Sequence, residues 1–521
     1  MMGSFRMVVN RAVSGAGRST ADMDIKCVVS AYANILACLA IALIGLYLVF
    51  LSPKLSADNS RPNVILIVAD DLGWNDVGFN GSDIRTPHLD QLANDGVQLE
   101  RFYVQPSCSP TRSELMTGQS AISLGVISPF SKQQPAGVPE SHRFLPQFFQ
   151  SAGYQTFMVG KWHLGFRAPQ FRPNARGFDH FYGHVTGGIG YWDHVNGGGL
   201  DWQRNGKTLR EQGYTTHLMR DEAVRLIENR DKARPFFLYL AFNAPHLPGE
   251  APEASLAQYS ALSNRDRQLH AAMVTEMDAA IGTVMHSVSD QGIGKDTLIW
   301  FLSDNGGLNP SFAPKGIKRV MAYLDELYGD EELPLQILEF VRVNMLHGAG
   351  DNSPLRAGKQ SVYEGGIRVP AVVSWPGTLP PATLNGVVSA LDVLPTLLSA
   401  SGISADRDDL KGVDRWYFLA EGADSPVSDY HVIGLDGEAM VSFPWKLVMG
   451  TDGSAQLYNL EADPSETLDV ASLHPARVDR LLAAIDSTPR AEPINLALWT
   501  LIADPDFFGG EEDRPPWTEI E

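Results

Sequence analysis

The sequence predicts an α/β fold, a largely parallel sheet flanked by helices, with a smaller C-terminal α+β subdomain. Three observations carry the prediction. Apolar runs of strand length alternate with helical patterns from residue 62 onward. The first run, Asn63-Val64-Ile65-Leu66-Ile67-Val68-Ala69, is nearly unbroken in its apolar character, as suits a strand buried on both faces of a parallel sheet. Polar residues gather just past the carboxyl ends of these runs, the edge where open α/β sheets bind ligands.

Residues 1–26 read as a cytoplasmic tail in which Arg6, Arg11, Arg18 and Lys26 are only partly offset by Asp22 and Asp24. Residues 27–53 carry no charge, and the core from Ile35 to Leu51 is long enough to span a bilayer. The positive flank should stay in the cytoplasm. The segment is thus expected to be a transmembrane signal anchor, with the chain from residue 54 outside the cytoplasm, whether extracellular, lumenal or periplasmic. The alternative is a cleaved signal, ending near Ser56-Ala57, and a secreted protein. Residues 54–61 form a linker, 62–425 the main domain and 426–521 the C-terminal subdomain and tail.

Within the main domain, Asn63–Ala69 ends in Asp70-Asp71, and Thr86-Pro87 opens a helix that Asp95-Gly96 stops. A helix is expected after Cys108, with Ser109 as its cap and Pro110 in its first turn. Tyr154–Val159 is a strand leading to Gly160-Lys161-Trp162-His163-Leu164-Gly165. Gly183–Trp202 interleaves glycine with Tyr191, Trp192, His194 and Trp202, which suits a sugar-stacking wall or a folded glycine-rich loop equally. His217–Arg230 is an amphipathic helix, and the strand Pro235–Phe242 runs into Asn243-Ala244-Pro245-His246. Arg265–Gln291 keeps a helical period through Met273, Met277, Ile281, Val284 and Val288. The strand Thr297–Leu302 ends in Ser303-Asp304-Asn305-Gly306-Gly307, and Val369–Trp375 is a further strand. Short strands and a helix over Pro475–Ile485 make up the subdomain.

The formal charge of −20 argues against a nucleic-acid partner, because such proteins present a basic face. An anionic substrate must therefore be held by a local cluster of bases. Of three cysteines, Cys27 and Cys38 lie in the apolar segment, so the exported part keeps only Cys108 and can form no internal disulfide. A lone cysteine among polar loop residues of an oxidising compartment is better explained by chemical use than by packing.

Two sets of polar residues share the strand ends. Asp70, Asp71, Asp304 and Asn305 are oxygen donors that suit a hard divalent ion, Ca2+ or Mg2+, although Asp-Asp and Asp-Asn-Gly-Gly are also ordinary turn sequences. Arg112, Lys161, His163, His246 and Lys359 are basic groups. Each taken singly has a bland explanation, but together they could neutralise charge spread over three oxygens of a transferring group.

Cys108-Ser109-Pro110-Thr111-Arg112, continuing to Leu115 and Thr117-Gly118, resembles the sulfatase signature, with Thr111 where most members have serine. Gly-Lys-Trp-His-Leu-Gly, Ala-Pro-His and Gly358-Lys359 followed by Glu364-Gly365-Gly366 match motifs of that family in type and order, and the matches extend from about residue 61 to 471. The arrangement is most similar to arylsulfatase B-like members. The resemblance implies an alkaline-phosphatase-like fold with a large mixed, mostly parallel sheet, and 62–425 as the catalytic domain. It implies that Cys108 is oxidised to formylglycine by a formylglycine-generating enzyme. It further implies Ca2+ (or Mg2+) held by Asp70, Asp71, Asp304, Asn305 and residue 108, and hydrolysis of a sulfated glycan or aryl sulfate. Arg112 would then activate the attacking hydroxyl, Lys161, His246 and Lys359 would hold sulfate, and His163 would drive release. Against the family pattern the chain carries an insert at about 308–351, expected as two short amphipathic helices that decorate the surface or form a lid or dimer contact. A phosphonate or phosphate ester hydrolase of the same superfamily is the nearest alternative. A non-catalytic surface homologue with an unmodified Cys108 is the other.

Overall fold

A computed structural model describes residues 61–494 apart from 131–135, 197–198, 310–321, 324–325, 327–346, 405–409 and 423–427. The expected tail, anchor and linker up to Ser60, most of the 308–351 insert and the C-terminal tail lie outside the described residues. Among the described residues, no helix is long and apolar enough to cross a membrane.

The chain runs β1 (Asn63–Ala69), α1 (Pro87–Asp95), β2 (Val97–Tyr103), α2 (Cys108–Thr117), β3 (Gln155–Lys161) and β4 (His180–His184). It continues through α3 (Thr215–Glu228), β5 (Phe236–Ala241), α4 (Arg265–Asp290), β6 (Thr297–Ser303), β7 (Ala371–Ser374), β8 (Ala382–Ser389) and α5 (Ala390–Ala400). Strand β1 is buried along its whole length and lies between β5 and β6, parallel to both. Strand β3 adds parallel to β5, and β4 parallel to β3. On the other side, β7 pairs antiparallel with β6 and with β2, and β8 pairs parallel with β2. The sheet is therefore mixed, with a parallel centre, as expected.

Alternation along β1 divides the core. Val64, Leu66 and Val68 face one side with Leu115 of α2 and Leu394 and Leu397 of α5. Ile65 and Ile67 face the other with Leu89 of α1, Ile227 of α3 and Met277 and Ile281 of α4. The run Val369–Trp375 differs from expectation by being two strands. Pro370 has no N–H for a ladder, so Arg368–Val369 pairs with the end of β2 while β7 pairs further along.

The C-terminal part is an antiparallel meander of β9 (Tyr430–Gly434), β10 (Gly437–Ser442), β11 (Trp445–Gly450) and β12 (Ala455–Asn459), followed by α6 (Pro475–Ser487). One face packs on α6 through Met440, Leu447, Leu481 and Ile485. The other packs on the main domain through Val441 and Tyr458 against Tyr103, Val362 and Ile367. Between the two parts, buried Lys446 places Nζ 3.1 Å from Glu364 and 2.8 Å from Glu466.

Candidate active site

Parallel strands put their carboxyl ends on one edge, so β6, β1, β5 and β3 bring Asp304, Asp70, His246 and Lys161 to it in adjacent positions. Two successive antiparallel pairings, β6 with β7 and β7 with β2, return β2 to the direction of β1. The same edge therefore receives Cys108, a few residues beyond Tyr103. The mixed order is what allows residue 108 to join the site.

Helix α2 begins two residues earlier than expected, at Cys108, with Ser107 instead of Ser109 in the N-cap position and no side-chain cap. Ser109 is not the cap. Its hydroxyl donates to the His163 carbonyl at 2.8 Å and accepts from the Phe130 N–H at 3.1 Å, tying the helix start to the loop after β3. All ten residues of α2 are buried, and burial pushes the Cys108 thiol up to about 12 despite Lys161 and Lys359 nearby. An unmodified Cys108 is thus a neutral thiol and a weak nucleophile.

The acidic and basic sets expected from the sequence interleave. Lys161 Nζ lies 2.5 Å from Asp70 Oδ2, and Lys359 Nζ 2.7 Å from Asp71 Oδ2. Arg112 donates from Nε to Asp304 Oδ2 at 2.9 Å and from Nη1 to the Lys161 carbonyl at 3.0 Å. Asp304 Oδ1 accepts from the Asp71 N–H at 3.3 Å, and Asn305 Nδ2 donates to Asp71 Oδ1 at 2.8 Å. His246 Nε2 stands 3.8 Å from Asp71 Oδ2, while its Nδ1 is 2.6 Å from the Leu247 carbonyl. Hydrogen bonds and ion pairs thus join Asp70 to Lys161, Asp71 to Asn305, Lys359 and His246, and Asp304 to Arg112 at one edge.

The charges respond to this crowding. Burial raises Asp70 to about 7, with Lys161 opposing the rise. Burial acts the same way on Asp71, but Lys359, His246 and Lys161 outweigh it and hold the carboxyl below the usual range. Burial works to lower Lys359, but Asp71, Cys108 and Asp70 together outweigh it and raise the ammonium. Burial and Lys359 push His246 down to about 3, and burial with Lys161 holds His163 well below its ordinary value. His163 hydrogen-bonds through Nε2 to the Phe130 carbonyl at 2.9 Å, which leaves Nδ1 buried without a partner. A neutral ring so held presents Nδ1 as a base. Asp71 and His163 both take left-handed backbone, φ +67° and +56°, a strain that gathers at functional sites.

A cation fits the donors. Asp70 Oδ1 and Asn305 Oδ1 are buried oxygens with no hydrogen-bond donor, a costly state that a positive ion would relieve. Ligand atoms of Asp70, Asp71, Cys108 and His246 lie within 4.8 Å of one another. His246 joins this group although the sequence placed it among the sulfate-holding bases. Asp304, expected among the ligands, spends its oxygens on Arg112 and the Asp71 backbone.

The glycine-rich stretch serves the site in a way the sequence did not disclose. A Cβ on Gly187 would lie 2.6 Å from His163 Cε1, and one on Gly188 would lie 3.0 Å from His246 Cε1 and Nδ1. Backbone without side chains thus covers both imidazoles. Tyr191 is fully buried and donates to the carbonyls of Asn243 and His246, both at 2.9 Å. Trp202 and His194 are buried as well, so of the four aromatics only Trp192 is exposed. The stretch is a folded loop and not a stacking wall. Tyr239, whose hydroxyl lies 3.4 Å from Arg112 Nη1, was also missed, because it reads as one more apolar position of β5.

Comparison with known proteins accords with this geometry. The family model described as Sulfatase matches residues 62–403. Arylsulfatase J of Mus musculus is 32% identical over 488 residues, covering 82% of this chain and 75% of its own. N-acetylgalactosamine-6-sulfatase of Mus musculus is 31% identical over 396 residues, covering 71% and 68%. Among solved structures, Ps i-CgsB in complex with k-i-k-neocarrahexaose superposes with a TM-score of 0.72 at 30% identity, covering 86% of this chain and 100% of that one. The chain belongs to the sulfatase family.

Proposed function

We propose that the protein hydrolyses sulfate esters of a carbohydrate, using formylglycine made from Cys108 by a formylglycine-generating enzyme. One observation carries the proposal: Arg112, Lys161, His163, His246 and Lys359 converge with residue 108 on a single buried sheet edge. The relatives named as sulfatases and the solved structure in complex with k-i-k-neocarrahexaose support the substrate class.

A hydrated formylglycine supplies one hydroxyl to attack sulfur and a second through which sulfate can be eliminated. Asp70, Asp71, Asn305 and residue 108, with Asp304 beside them, would hold Ca2+ or Mg2+, which supplies positive charge next to the attacking oxygen. Arg112 fixes Asp304 and adds its own charge at the same point. Lys161 and Lys359 each neutralise one aspartate here, and with a cation on those aspartates both ammonium groups would be free to meet sulfate oxygens. Lys359 is protonated and His246 stands beside the same aspartate, so these two are the groups placed to meet the departing alcohol oxygen. His163 accepts a proton at Nδ1 from the remaining hydroxyl as sulfate leaves. The charge-free stretch 27–53 supports an anchored protein whose catalytic part lies outside the cytoplasm.

Mass spectrometry of the peptide containing residue 108, from protein made beside a formylglycine-generating enzyme, tests the chemistry. The expected result is an aldehyde, with turnover of an aryl sulfate that Cys108→Ala abolishes. An unmodified thiol would favour the non-catalytic alternative. Clear preference for an aryl phosphonate over the matching sulfate would move the protein to the phosphonate hydrolases.

A further inference from the structure

The loop after β4 runs over both imidazoles of the site, and its two ends are anchored by different side chains. At its start stands Asp201, which is fully buried. The carboxylate accepts from the Val185 N–H at 3.1 Å, from the Thr186 N–H at 2.8 Å and from the Thr186 hydroxyl at 2.5 Å. The Asp201 N–H donates in turn to the His194 carbonyl at 2.9 Å, which closes the loop on itself. The backbone so fixed reaches His163 in two ways. The Val185 carbonyl accepts from the His163 N–H at 3.2 Å, and Gly187 lies so close to the ring that a Cβ there would stand 2.6 Å from Cε1.

At the far end Tyr191 does the same for His246. Its N–H donates to the Glu250 carboxylate at 2.7 Å, and its buried hydroxyl lies 2.9 Å from the carbonyls of both Asn243 and His246. The His246 N–H donates to that same Asn243 carbonyl at 2.9 Å, so one phenol holds both ends of the turn that presents the imidazole. Gly188, the neighbour of Gly187, lies against this second ring. Asp201 and Tyr191 spend these polar atoms on backbone, so their influence on the reaction passes through the two imidazoles.

We propose that Asp201 and Tyr191 are positioning residues for the two halves of the reaction. Asp201 sets His163 for the release of sulfate, and Tyr191 sets His246 for the departure of the alcohol. The assignment rests on the sulfatase activity proposed above, in which His163 accepts a proton as sulfate leaves and His246 meets the departing oxygen. Residues 185–191 therefore serve both imidazoles with one stretch of backbone, while each anchor can be loosened alone.

The test uses the aldehyde-bearing enzyme and a series of aryl sulfates whose phenols differ in acidity. Asp201→Asn keeps the shape of the side chain but turns one acceptor into a donor facing backbone N–H groups. Its kcat should fall about 10-fold, with phenol released in a burst that approaches one per enzyme, because the step after phenol departure is the one slowed. Thr186→Val removes a single donor to Asp201. It should show the same burst with a smaller fall, and it decides the matter if Asp201→Asn does not fold. Tyr191→Phe should add no burst. Its loss of kcat/KM should be about 10-fold greater on the least acidic phenol than on para-nitrophenyl sulfate, since a poor leaving group depends most on the groups that meet its oxygen. Rates that fall without a burst at 201 and 186, or do not fall, overturn the role of Asp201. An equal loss on every phenol, or none, overturns that of Tyr191. In both cases turnover by the parent enzyme leaves the sulfatase activity standing. No turnover by the parent enzyme, with residue 108 shown to be an aldehyde, overturns that activity and this assignment with it.

Discussion

Asp70 and Asn305 show how far single residues were legible. Both sit past the end of a buried strand, where a local pattern of apolar run and polar stop marks the position. Their donors suggested a cation, and the structure leaves an oxygen of each buried without a hydrogen bond. Adding millimolar Ca2+ should therefore raise the melting temperature, since a ligand at about 100 times its Kd adds about 2.7 kcal/mol. Differential scanning calorimetry with and without a chelator reads the shift. Asn305→Ala and Asp70→Ala should each reduce it to near zero. An unchanged melting temperature of the parent protein in 10 times that cation concentration would remove the metal site from the proposal. Gly187, Gly188 and Tyr191 were not legible as site residues, because their partners lie on other loops and no local spacing announces a contact made only in three dimensions.

At the scale of elements, strands and long helices followed from period and length, and their ends moved by a residue or two. Helix α2 starts at Cys108 because Ser109 is drawn to His163 and Phe130, partners the sequence does not place beside it. The glycine-rich loop of 183–202 was visible as composition but not as purpose, since aromatic and glycine content suits a wall and a packed loop alike. Its fit over His163 makes a sharp prediction. Gly187→Ala should lower kcat by about 100-fold, the usual consequence of displacing a reacting group by about 1 Å. KM for an aryl sulfate and the unfolding midpoint should change little. A fall in kcat of less than threefold would show that the loop is not needed to position the imidazole.

Across the whole molecule, the charge of −20 and the buried basic cluster are compatible because the bases are compensated locally by Asp70, Asp71 and Asp304. The overall field gives no hint of them, which is why composition spoke against a nucleic-acid partner but could not locate the site. The same scale holds the prediction for the segment 27–53. Full-length protein should stay in the membrane fraction through alkaline carbonate washing, and protein beginning at residue 54 should not. Release of the intact full chain by carbonate would rule out an anchor. Lys446, held between Glu364 and Glu466, has a consequence that reaches back to Lys359. Glu364 opens a short helix just after Lys359 in the chain, so the stance of the Lys359 ammonium is braced from behind by side chains of the C-terminal part. Every described strand of the large sheet precedes Lys446 and Glu466 in the chain, so a fragment ending after that sheet would hold the edge without its brace.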